Sequence, residues 1–176
     1  MTKNPHTGPD WYTPLIPEDH PIYTKIGRVA SSWSHLESQL DSIIWRLAGL
    51  HPRTGACITA QMLGATNRFK TIITLLKERG ASSTLVTQTQ KIMNTSYDVA
   101  EERNRIIHDP WYFGKQSKLT FQRKSMPSKN PRFEIEYVDD STIEKTLKLI
   151  WDRRQKIGAL SKAIYQATLA PLRKRP

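Results

Sequence analysis

The sequence predicts an all-α fold, a four- to five-helix up-down bundle with a small β-hairpin inserted before the last helix. Three observations carry this. A long heptad stripe starts at Ile22, behind a proline-rich arm, and two further long amphipathic segments follow it. One stretch late in the chain changes to period-two alternation and is rich in β-formers.

Residues 1–20 carry Pro5, Pro9, Pro14 and Pro17, with Pro21 just beyond. That density stops any helix, so an extended arm or a disordered tail is expected, which Trp11, Tyr12 and Leu15 could pin to the body. His6 and His20 are expected to face solvent. The first helix starts near Pro21. Ile22, Ile26, Val29, Trp33, Leu36, Leu40, Ile43 and Leu47 advance in alternating steps of four and three, the pattern of a bundle seam. His35 lies off this stripe. His51-Pro52-Arg53-Thr54-Gly55 breaks the helix, and His51 reads as structural. A short helical piece over 56–63 follows, then a joint at Gly64-Ala65. Thr66 looks like an N-cap for a helix to about Arg79, with Phe69, Ile72, Ile73, Leu75 and Leu76 inward. Gly80 behind Lys77 and Arg79 has the form of a C-terminal stop.

Ser82 or Ser83 opens the next long helix. Its apolar seam positions are Leu85, Ile92, Val99 and Ile106, alternating with Thr89, Ser96 and Arg103. An inward arginine is costly without an anion or a cleft to face. Pro110 pushes Asp109 out of the α region, so the helix should end at or near His108. Beyond it, Leu119 and Phe121, then Phe133, Ile135 and Tyr137, alternate with polar residues, and the intervening 124–131 reads as a long loop. A lone hairpin is marginal and must pack on the helices or on a partner chain. Ser141-Thr142-Ile143-Glu144 reads as a capping box for a last helix to about Leu169, with Ile143, Leu147, Ile150, Ile157, Leu160 and Ile164 inward. The domain expected is a single bundle over 21–172, with the hairpin at about 111–139 and a basic tail at 173–176.

Composition narrows function. The chain has 27 Lys and Arg against 16 Asp and Glu, a net +11, and its pI is near 9.9. Such an excess favours polyanions, nucleic acid first. The charge is uneven. Lys115, Lys118, Arg123, Lys124, Lys129 and Arg132 form a stretch without an acid, directly after the 103–108 segment. Cys57 is the one cysteine, so neither an intrachain disulfide nor a cysteine-based zinc site is expected. The histidines are too scattered for a metal site, and no cofactor is expected. There is no apolar run of membrane length and no leader pattern, so no membrane partner is expected and the expected compartment is cytoplasmic. No Walker loop or nucleophile elbow occurs. The broken helices near 56–79 lack a convincing short recognition helix.

The segment Glu101-Glu102-Arg103-Asn104-Arg105-Ile106-Ile107-His108 concentrates the chemistry. In an ideal helix Arg103 and His108 lie roughly 140° and roughly 7.5 Å apart along the axis. Arg-Asn-x-x-x-His late in a bundle helix resembles the signature of the HEPN superfamily of helical RNases. The resemblance covers roughly 22–170 in plan and the motif alone in sequence detail. It implies a metal-independent endoribonuclease that cleaves RNA by 2′-hydroxyl attack, of the kind used as a toxin or phage-defence effector, with an antitoxin or defence-system protein as a possible partner. His108 would be the acid or base, Arg103 the clamp on transition-state charge and Asn104 the positioning residue. Arg105, Lys124 and Lys129 are the expected substrate-binding cations. In HEPN RNases two protomers abut so that both motifs line one cleft, which implies a homodimer with the active site at its interface. The alternative is a non-catalytic HEPN-like dimerisation or scaffold module that binds RNA or a partner protein. A plainer structural alternative has His108 capping terminal carbonyls and Arg103 pairing with Glu37 or Asp41.

Overall fold

The computed structural model describes residues 16–113, 120–126, 132–138 and 140–169. Five helices stand among them: α1 (Pro21–Ala48), α2 (Pro52–Thr59), α3 (Gly64–Glu78), α4 (Ser83–His108) and α5 (Asp140–Leu169). Between α4 and α5 lie strands β1 (Trp111–Phe113), β2 (Thr120–Met126) and β3 (Arg132–Tyr137).

The apolar stripe of α1 explains its central place. Val29, Trp33, Leu36, Leu40, Ile43, Ile44 and Leu47 are all buried. Each such side chain contributes about 1.5–3 kcal/mol on burial. The chain direction follows from a few contacts. Trp45 donates to Thr59 on α2, and Arg68 near the start of α3 reaches Asp41. Arg103 on α4 lies over Trp33. On α5, Glu144 meets Arg28 and Tyr165 meets Arg46. The five helices therefore run alternately up and down, with α1, α3 and α5 parallel.

Several boundaries differ from the sequence reading, each for a local reason. Ile16 is buried and accepts from the Tyr23 hydroxyl at 3.3 Å, so the chain before α1 is tied down at Ile16. The expected anchors Trp11, Tyr12 and Leu15 lie outside the described residues. His20 and His51 are N-caps, their Nδ1 atoms accepting from the Ile22 and Arg53 amides at 3.2 and 3.3 Å. Pro52 therefore starts α2 instead of extending a break, because proline suits the first helical position. Thr66 is not a cap. Gly64, at φ 69°, turns the chain into α3 two residues earlier, and Leu63 makes no side-chain cap bond. Helix α5 starts at Asp140, so Ser141 sits in its first turn and not at the cap.

The insertion is a three-stranded antiparallel meander in the order β1-β2-β3. The expected hairpin is β2-β3, running from Phe121 opposite Tyr137 to Met126 opposite Arg132. Strand β1 pairs Trp111 with Gln122 and Phe113 with Thr120, which gives the marginal hairpin a third strand. Among the described residues, no helix is long and apolar enough to cross a membrane.

Candidate active site at the end of helix α4

Helix α4 is amphipathic with a polar seam, and the seam is satisfied locally. Thr89 and Ser96 are buried, and each hydroxyl donates 2.8 Å to the carbonyl four residues back, on Leu85 and Ile92. That device is open to threonine and serine and closed to arginine. At the third polar position Arg103 must look elsewhere. It finds the face of Trp33, 5.9 Å from the ring centroid, and the side chain of Asn104, whose Oδ1 accepts from Nη1 at 2.8 Å. Its Nε is shut off from solvent with no hydrogen-bond partner among the described residues.

The electrostatics of Arg103 follow from this setting. Burial pushes its guanidinium below the ordinary arginine value, and the Glu37 carboxylate opposes that shift. Glu37 is engaged elsewhere. It accepts from the Trp33 indole at 3.1 Å and stands 4.0 Å from Arg68. Asp41 holds Arg68 at 2.7 Å. Neither carboxylate pairs with Arg103 among the described residues, so the guanidinium is held in a fixed place without a full set of acceptors.

The helix end is finished without His108. The Asp109 amide donates to the Arg105 carbonyl at 3.0 Å. The Trp111 indole donates to the Ile106 carbonyl at 2.9 Å. Asp109 is extended, at ψ 140°, as Pro110 requires. His108 is the last helical residue and is exposed. No hydrogen bond or ion pair among the described residues engages its ring, so it is not the carbonyl cap of the plainer alternative.

Asn104 is exposed and holds Arg103, not the imidazole. Arg105 lies 3.6 Å from Glu102, so part of its charge is already answered. Lys124 stands on β2, where the register sets it opposite Glu134. Lys129 and most of the acid-free stretch lie outside the described residues. No hydrogen bond joins Arg103 to His108 within one chain among the described residues. The described residues hold no group of His, Cys, Asp and Glu fit to hold a metal ion.

Two contributors escaped the sequence reading. Trp33 was expected as core, and it is 3% exposed, but it also presents its face to Arg103. Trp111 takes the capping role. Heptad position marks a tryptophan as buried and does not reveal which cation or carbonyl it will meet.

No protein-family model, curated protein or solved structure matches the chain.

Proposed function

We propose that the chain is a metal-independent endoribonuclease of the HEPN type, an effector of the kind toxin and phage-defence systems use. The observation that carries the reading is Arg103. It is a half-buried guanidinium fixed by Trp33 and Asn104, with no carboxylate in ion-pair contact among the described residues, and five residues later comes an exposed imidazole with no hydrogen bond among them. The 2′-hydroxyl of RNA attacks the adjacent phosphorus and the 5′-oxygen leaves. The products are a 2′,3′-cyclic phosphate and a 5′-hydroxyl end. His108 takes or gives the proton, a task suited to an imidazole whose ordinary pKa is about 6.5. Arg103 holds the growing charge on the phosphate oxygens with its planar fork.

The spacing of Arg103 and His108 asks for a second chain. One helix sets them roughly 140° apart, too divergent to grip one phosphodiester comfortably. A two-fold contact between protomers would bring two copies of each to one cleft. The working unit proposed is therefore a homodimer acting on RNA.

The test is RNA cleavage in EDTA by the parent, His108→Ala and Arg103→Ala. Each variant is expected to lose about 100-fold or more in rate while keeping its fold, the scale of one acid-base or oxyanion group. A well-folded parent that cleaves none of several RNAs would favour the second reading, a non-catalytic dimerisation or scaffold module. The absence of a hydrogen bond between Arg103 and His108 among the described residues is the observation on that side.

A further inference from the structure

The α1–α5 face carries a separate feature. A cavity of about 430 Å³ opens there, lined by Arg28, Ser31 and Ser32 of α1 and by Glu144, Leu147, Lys148, Trp151 and Arg154 of α5. Three cations and one acid surround it. Trp151 is 57% exposed, although a tryptophan on an amphipathic helix would ordinarily turn inward. Arg154 stands where the inward stripe of α5 passes between Ile150 and Ile157. Its Nε is shut off from solvent and lacks a hydrogen-bond partner among the described residues. Arg28 meets Glu144 at 3.6 Å, but both side chains are at least half exposed. Such a surface pair holds weakly and can exchange its carboxylate for another anion.

We infer that this groove binds single-stranded nucleic acid, with a base stacked on Trp151 and the backbone phosphates met by Arg28, Lys148 and Arg154. An open indole face beside a cluster of cations is the pairing that strand binding without sequence preference requires. An acidic peptide would use the cations and leave the indole idle. The groove shares its ligand class with the ribonuclease reading and stands on different residues, so either can fail alone.

The probe is a fluorescent 2′-O-methyl oligouridine of about ten nucleotides, which cannot be cleaved by 2′-hydroxyl attack. Binding by the full chain is read by anisotropy across a salt series. Trp151→Ala is expected to weaken binding by about fivefold or more, since stacking one base is worth that much. Arg28→Gln with Lys148→Gln is expected to flatten the salt slope by about 0.7 per lost phosphate contact. All three positions are exposed, so the fold should survive, and circular dichroism checks that it does. Parent-like affinity and slope in these variants would overturn the proposal. So would displacement of the probe by a polyglutamate peptide as readily as by unlabelled strand of equal charge.

Discussion

Arg103 shows how one side chain can be constrained without being satisfied. The Trp33 face and the Asn104 amide fix its plane, and its Nε has no acceptor among the described residues. Arg103→Lys keeps the charge but loses the fork and the stacking surface. We expect it to cleave RNA nearly as poorly as Arg103→Ala in the same EDTA assay, whereas near-parent cleavage would mean that charge alone suffices. A second residue-scale expectation concerns Gly55. A Cβ there would come within 2.4 Å of the Trp45 ring, whose indole is held by Thr59. Gly55→Ala should destabilise the fold by about 1–3 kcal/mol, read from urea unfolding. At this scale the sequence was partly legible. The Arg, Asn and His spacing was plain, and so was the cost of an inward arginine. Which neighbours would answer it was not, because Glu37 and Asp41 are drawn to Arg68 from a helix that pairs with α1 only in three dimensions.

At the scale of elements, the joint between α2 and α3 turns on Arg68. It is 8% exposed, binds Asp41, and donates to the carbonyls of Thr59, Met62 and Gly64. Those acceptors lie at the end of α2, in the joint and at the first residue of α3, so one guanidinium satisfies carbonyls on both sides of the turn. Arg68→Ala should cost about 3–5 kcal/mol, because a partly buried Asp41 and three carbonyls lose their partner. Thermal unfolding would check this, and a loss under 1 kcal/mol would deny the joint its stated role. The long helices α1, α4 and α5 were legible from apolar period alone, which extends over many turns. Caps were less so. A histidine with Nδ1 free to accept a backbone N–H can do the work of serine, and a left-handed glycine can start a helix before the residue that looks like its cap. Strand β1 was missed because a three-residue strand has too little alternation to register.

At the scale of the molecule, the net charge of +11 has to be placed before it can mean anything. Among the described residues, Arg105 stands near the end of α4, Arg28, Lys148 and Arg154 line the α1–α5 groove, and further cations such as Lys70, Lys77 and Lys91 lie elsewhere on the helices. Sedimentation at micromolar concentration should show a dimer, and substitutions near the α4 end should shift it toward monomer. A monomer that still cleaves RNA would remove the shared site. The most direct measurement is a cycle of Arg103→Ala, His108→Ala and the double variant, scored by the rate of RNA cleavage in EDTA. Groups acting on one phosphodiester are expected to be strongly non-additive, so the double variant should cleave about as slowly as either single one. Parent-like rates in either single variant, or single losses that simply multiply in the double, would contradict the account.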